Sequence, residues 1–375
     1  MFTSDDERYM RRALELARRG EGHTRPNPMV GAVLVKNGQI IGEGWHKVCG
    51  GPHAEVEAFA SCREDPEGAA LYVTLEPCAH YGKTPPCADL IIRKKIGRVV
   101  AAMADPNPLV SGKGIRRLRA AGIPVDVGLL ADECGRLNEV FLKFVTERRP
   151  FVLYKAAMSL DGKTACYTGE SQWISGEESR EEVRRLRGVY SAIMAGIGTV
   201  LADDPRLTAR TAGMNDPVRI VVDSRLRIPP EARLLHEPGR VVILTTSAAP
   251  PEKKKALCAM GAEVIFADGA YGKVDLSLAM EELSAMEIDS ILLEGGSTLA
   301  EAAFQAGIVD KVSLYVAPIL IGGREAPSPL GGQGARTLMD VVRLHRVSVT
   351  KSGPDLCVTA YVDKEAPCLQ VSLKK

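Results

Sequence analysis

The sequence predicts an α/β protein in two domains, each a sheet sandwiched by helices. Three observations lead there. At 375 residues the chain is too long for one hydrophobic core and suits two domains of roughly 150 to 200 residues. Apolar residues alternate between helical and strand periods through both halves. Pro150 then halts one helical pattern and a strand pattern restarts at once, which puts the boundary near residue 148, with domains at 1–147 and 148–363.

Met10, Leu14 and Ala17 fall on one helical face behind the capping-type TSDDE, and Gly20 and Gly22 close that helix. Residues 29–46, MVGAVLVKNGQIIGEGWH, read as two strands joined by Asn37-Gly38, a pair that accepts the positive φ angles of a tight hairpin. A helix follows at 53–62, then a buried strand at 70–77, a helix at 87–95 and a strand at 98–106. A helix at 112–122, a strand at 123–129 and one helix over 131–149 complete the first half. The second half opens with a strand at 151–162 and a helix at 175–188, followed by strands at 191–196, 217–223 and 240–246. Next come a helix at 251–260, a strand at 262–266, a helix at 276–286, a strand at 289–294 and a helix at 297–306. That order predicts a parallel sheet. The stretches 311–322, 345–353 and 355–363 read as consecutive strands adding an antiparallel edge, and 364–375 as a loose tail.

Composition excludes several classes of function. The chain is 45% hydrophobic and 25% charged, with mean hydropathy near zero, as in soluble globular proteins. Net charge is +1, and residues 1–150 carry 22 Lys and Arg against 19 Asp and Glu, a difference of +3. No basic run offers a phosphate-backbone footprint, so nucleic acid is not an expected partner. The first residues are charged and helical in period, unlike a signal peptide, and no stretch has the roughly 20 apolar residues of a membrane span. Of nine cysteines, seven (Cys49, Cys62, Cys134, Cys166, Cys258, Cys357 and Cys368) are scattered without framework spacing and read as reduced. The cytoplasm is the expected compartment.

The chemistry of the first half lies in His53-Ala54-Glu55 at a helix start and Pro77-Cys78 at a strand end. These match the H-x-E and P-C parts of the zinc nucleobase deaminase signature, in which one histidine and two cysteines hold zinc while a glutamate shuttles protons. His53, Cys78 and Cys87 are the expected ligands and Glu55 the expected catalytic acid and base, beside an open position where water becomes hydroxide. A closed structural zinc site would instead need a fourth protein ligand, which Cys49 or His80 could supply. The usual signature has C-x-x-C, whereas eight residues separate Cys78 from Cys87 here. That insertion offers His80, Lys83 and Thr84 in a loop pinned by Pro85 and Pro86, whose lysine provides a point charge for a phosphate beyond the metal.

The segments HAEVEAF, TLEPCAHYGKTPPC, TRPNPMVGAVLV and DPNPLVSGKG resemble the deaminase half of the bifunctional deaminase-reductases of riboflavin biosynthesis, including the long cysteine spacing. The resemblance implies a cytidine-deaminase-like α/β/α sandwich whose substrate is lined by Asn27, His46, His80, Lys83, Asp105 and Asn107. For each of these, a turn-forming or solvated polar residue is the plain alternative. KAAMSLDGK, GESQWIS, GIGTVLADDPRLTAR, PVRIVVDS and LLEGGSTLAEAAF resemble the reductase half, so the likeness spans nearly the whole chain.

The reductase likeness implies a dihydrofolate-reductase-like α/β domain that binds NADPH. The implied cofactor contacts are Ala157, Trp173, Thr199 and Asp203, with Gly296, Ser297, Thr298, Leu299, Ala300, Glu301 and Ala302. Ser171, Arg187, Leu207, Arg210 and Glu294 are the implied contacts for the sugar phosphate. From the residues alone, the glycine pair between strand and helix at 295–296 lets amide groups face a pyrophosphate, although it lacks G-x-G-x-x-G. Ser224, after a strand, could meet the adenosine-side phosphate or merely cap the strand. Lys155 could stabilise charge on an opening ribose or be a solvated strand lysine, and Arg187 and Arg210 could be surface charges.

The expected reaction is zinc-dependent deamination of a phosphoribosylated diaminopyrimidinone to a uracil, then NADPH-dependent reduction of its ribose to a ribityl chain. Homo-oligomerisation through the reductase domain is implied by the resemblance. The rival reading is a nucleoside or nucleic-acid deaminase with a non-catalytic C-terminal binding domain.

Overall fold

A computed structural model describes residues 2–79, 85–107 and 111–364. The chain divides into two units, 1–148 and 149–375. The expected tail beyond Lys364 lies outside the described residues.

The first unit runs α1 (Ser4–Arg18), β1 (Gly31–Lys36), β2 (Gln39–Trp45), α2 (Ala54–Ala60), β3 (Ala70–Val73), α3 (Cys87–Arg93), β4 (Arg98–Ala101), α4 (Lys113–Ala120), β5 (Val125–Val127), α5 (Ala131–Leu137) and α6 (Glu139–Glu147). Its sheet has the order β2-β1-β3-β4-β5, with β1 antiparallel to both neighbours and β3, β4 and β5 parallel. Strand period sorts the side chains into two layers. Ala32, Leu34, Leu71, Val73, Val99 and Ala101 meet Ala54, Ala58, Ile91 and Leu118 of α2, α3 and α4 on one face. Val33, Val35, Tyr72 and Val100 meet Met10, Ala13 and Leu14 of α1 and Cys134 of α5 on the other.

Thr3 and Asp6 form a reciprocal capping box at the start of α1. Asp6 also accepts from the Tyr72 hydroxyl at 2.6 Å and from Arg98 at 2.8 Å, tying α1 to β3 and β4. The single helix expected over 131–149 is two, because Asn138 leaves the helix and bonds both main-chain groups of Met29, at 2.8 and 2.9 Å.

The second unit comprises β6 (Phe151–Ser159), α7 (Glu177–Val189), β7 (Ala192–Gly196), α8 (Ile197–Asp203), β8 (Val218–Val222), α9 (Arg233–His236), β9 (Val241–Thr245), α10 (Pro251–Ala259), β10 (Glu263–Phe266), α11 (Leu276–Ala285), β11 (Ser290–Leu293), α12 (Ser297–Gln305), β12 (Lys311–Ala317), β13 (Leu344–Ser352) and β14 (Asp355–Val362). Among the described residues nine strands form one sheet, β10-β9-β8-β7-β11-β6-β12-β14-β13. It is parallel from β10 through β12, and β14 and β13 add the antiparallel edge. β11 lies between β6 and β7, so α8 and α12 both start at the carboxyl ends of adjacent strands, where open α/β sheets hold ligands. Helices α8 and α9 were not expected from the sequence. No helix among the described residues is long and apolar enough to cross a membrane. The eight described cysteines are all free.

Candidate functional site

In the first unit His53 is the N-cap residue of α2 but makes no capping bond, because its ring turns to the cysteines. Its Nδ1 lies 3.5 Å from Cys78 Sγ and 3.3 Å from Cys87 Sγ. The three donor atoms lie within 4.8 Å of one another. A tetrahedral zinc with Zn–S near 2.3 Å and Zn–N near 2.05 Å sets nitrogen and sulfur about 3.6 Å apart, so this donor set fits the ion. Cys87 opens α3, and its amide donates to Cys78 Sγ at 3.3 Å. The Cys87 thiol, and after it His53, draw the Cys78 thiol down, while Cys78 and burial push the Cys87 thiol up. Among the described residues the metal-holding group consists of these three; Cys49 is exposed and not among them.

Glu55, in the first turn of α2, is 3% exposed. Burial, with the Cys78 charge adding to it, pushes its carboxyl up to about 7, where a group both takes and gives protons near neutrality. His46 packs edge-on to His53, with ring centroids 5.9 Å apart. Its Nδ1 faces the Pro52 carbonyl at 2.9 Å and its Nε2 faces Asn27 Nδ2 at 3.3 Å. A carbonyl only accepts and an amide nitrogen only donates, so His46 is the neutral Nδ1–H tautomer. Burial, which lowers its pKa, favours the same form. Asp105 accepts from the Asn107 amide at 2.9 Å, fixing the bend between them. His80 and Lys83 lie outside the described residues.

In the second unit Arg187, on α7, clasps Glu294 at the end of β11 with two bonds of 2.9 and 2.7 Å. Lys155 Nζ, on β6, lies 3.9 Å from the same carboxylate. Burial alone would raise Glu294, but Arg187 and Lys155 hold it down at about 2. Burial depresses Lys155 against the pull of Glu294. Burial and then Arg187 depress Arg210, an exposed residue in the left-handed region. α12 starts at Gly296, extended and without a side-chain cap, so its first amides have no intrahelical partner. A Cβ at Gly296 would lie 3.8 Å from Thr199 Oγ1, which brings the start of α8 beside that of α12. Two adjacent glycine-led helix starts suit a cofactor pyrophosphate.

Residues 150–358 match the family model of the RibD C-terminal domain, and residues 3–103 that of the cytidine and deoxycytidylate deaminase zinc-binding region. The riboflavin biosynthesis protein RibD of Actinobacillus pleuropneumoniae is 47% identical over 356 residues, 94% of each chain. That of Escherichia coli (strain K12) is 42% identical over 366 residues, 94% of this chain and 98% of its own. The chain belongs to the RibD family. Acinetobacter baumannii RibD superposes with a TM-score of 0.86 at 37% identity, covering 96% of this chain and 99% of its own. A diaminohydroxyphosphoribosylaminopyrimidine deaminase/5-amino-6-(5-phosphoribosylamino)uracil reductase from Thermotoga maritima superposes with 0.83 at 38%, with the same coverage. RibD proteins are enzymes of riboflavin biosynthesis that join a deaminase to a reductase, and the two units here have the cytidine-deaminase-like and dihydrofolate-reductase-like folds of that family. The rival reading of the second half as a non-catalytic binding domain falls with the match of 150–358.

Other expected contacts of this RibD chain are placed unevenly. Leu207 has positive φ and sends its side chain into the core with Ile193 and Val221. Leu299 and Ala300 also face the core, whereas Thr298 and Ala302 are exposed. Gly331 donates to the Ser297 carbonyl at 3.1 Å, and a Cβ at Gly332 would lie 1.6 Å from Glu301 Oε1, so the Glu301 side chain is occupied by a passing loop. Ser224 Oγ accepts from the Val274 amide at 3.2 Å. Trp173 is 70% exposed, with the Arg180 guanidinium 4.9 Å over its ring, and Ser171 is half-buried two residues before it. Ala157 packs beside Val183 and Tyr315, and Asp203 is exposed at the end of α8. Glu76, not singled out in the sequence, accepts four main-chain amides beside the metal ligands. Its signal was its place in the EPC stretch, two residues before Cys78.

Proposed function

We propose that the chain deaminates 2,5-diamino-6-(5-phosphoribosylamino)pyrimidin-4-one to the corresponding aminouracil and then reduces its ribosyl group to ribityl with NADPH. The observation that carries this reading is the convergence of His53, Cys78 and Cys87 donors beside the buried Glu55 carboxyl. Zinc, when bound, would be held by those three residues and would supply an activated water at neutral pH. Glu55 is placed to accept a proton from the attacking water and to deliver it to the ring amino group, so that a C–O bond forms, the C–N bond breaks and ammonia leaves. Neutral His46, Asn27, Asp105 and Asn107 orient the pyrimidine, and His80 and Lys83 reach its phosphate.

In the second half NADPH, when bound, supplies a hydride for the former anomeric carbon. Gly296 to Ala302 contact it at the start of α12, where the glycine pair faces the pyrophosphate, with Ala157, Trp173, Thr199, Asp203 and Ser224 along the rest of the cofactor. Ser171, Arg187, Leu207, Arg210 and Glu294 hold the sugar phosphate, and Lys155 stabilises charge as the ribose opens. The Thermotoga maritima relative bears both activities in its name, which supports the pairing. The test is to supply the diaminopyrimidinone phosphate with and without NADPH and weigh the products. Amino-to-oxo exchange alone is expected without NADPH, and two further hydrogens with it; a product unchanged in mass refutes the reading.

Two copies associate through the reductase half in this reading, and the chain works in the cytoplasm. β13 motivates the first point, since eight of its nine residues are exposed at an unpaired sheet edge. Light scattering that returns a monomer at micromolar concentration removes it.

A further inference from the structure

We infer that Glu76 is a positioning residue of the deaminase site, holding the arm of Asp105 and Asn107 against the segment that delivers Cys78. This rests on the reading above that Asp105 and Asn107 contact the pyrimidine substrate. Glu76 follows β3, is 5% exposed, and stands two residues before Cys78. Its Oε2 accepts from the Asp105 amide at 3.1 Å and the Gly112 amide at 2.9 Å. Its Oε1 accepts from Gly114 at 2.8 Å and Ile115 at 3.1 Å. Four donors fill the acceptor capacity of one carboxylate.

Three of those donors belong to the N-cap and first turn of α4, where amides lack intrahelical partners and a negative charge is favoured. The fourth, Asp105, lies in no helix, and capping alone does not require it. Asp105 passes the constraint on through its own bond to the Asn107 amide at 2.9 Å. On the metal side, Gly114 lets the Pro77 carbonyl approach so closely that a Cβ would lie 1.9 Å from it. One side chain therefore sets where the substrate arm stands relative to the metal loop, although no proton or metal step uses it.

Glu76→Gln keeps the size and one acceptor oxygen but turns an NH2 toward two amide donors. In the full-length, zinc-loaded enzyme, KM for the diaminopyrimidinone phosphate should rise about tenfold or more, while kcat stays within about threefold. Bound zinc and the reductase rate on supplied aminouracil should not change. Glu76→Asp, which keeps the charge and shortens the reach, should fall between wild type and Gln. Added to Asp105→Ala/Asn107→Ala, Glu76→Gln should raise KM no further, because the arm it positions no longer carries the contacts.

A wild-type KM in Glu76→Gln, or its full effect persisting in the combined variant, overturns the inference. Loss of zinc or of kcat alone also overturns it and makes Glu76 a support of the metal loop. If Asp105→Ala/Asn107→Ala leaves KM unchanged, the substrate reading itself fails and the inference falls with it. A raised KM there beside an unaffected Glu76→Gln confines the failure to Glu76.

Discussion

Glu55 shows how a single residue acquires its chemistry from its surroundings. Two residues after a metal-site histidine, at a helix start, it faces the site without joining the donor set, and burial lifts its carboxyl to about 7. Glu55→Gln keeps the shape and removes the proton carrier, so deamination should fall by about 10² to 10⁴. Zinc content and NADPH-dependent reduction of supplied aminouracil should persist; near-normal ammonia release would refute the assigned role. His53 and Glu55 are legible in sequence because their relation is local. The tautomer of His46 is not, since Pro52 and Asn27 decide it through bonds that only the folded chain makes. Leu207 is similar: the motif marks its position, but only packing shows that its side chain belongs to the core.

At the scale of elements, the Arg187 and Glu294 pair joins α7 to the end of β11, where Glu294 also extends the pairing through its amide to the Met194 carbonyl at 2.9 Å. Both side chains are nearly buried, so Glu294→Gln strands the Arg187 charge and should destabilise the fold by about 3 to 5 kcal/mol at pH 7. A carboxylate held at about 2 contributes stability above its ordinary value of 4.5 and loses it as pH falls through the folded value. The gap between wild type and variant should therefore narrow from pH 5 toward pH 2, read as urea midpoints at each pH. A gap independent of pH would refute the ion pair as its source. Helix α8 is not legible in the sequence because Gly198 weakens its local propensity, and packing of Ile197 and Val200 on the core supplies what propensity lacks. The break between α5 and α6 has a different cause, a distant partner: the Asn138 side chain bonds the main chain of Met29 while its backbone turns out of helical angles between the two helices.

For the whole molecule, alternating helix and strand periods determined two α/β layers, and the residue types His, Glu, Cys and Cys determined a deaminase chemistry. Strand alternation is a local property of the backbone, so it is written in the residues themselves. The antiparallel edge was legible as three strands, but their order was not: β14 separates β12 from β13 and leaves β13 outermost. Only tertiary structure set Arg187 and Lys155, far apart in the chain, around the Glu294 carboxylate, and gathered donors from positions 53, 78 and 87 around one point. The reason is physical: residue type states what a group can do, while distance, burial and the partners brought by folding decide which charge and which proton it holds.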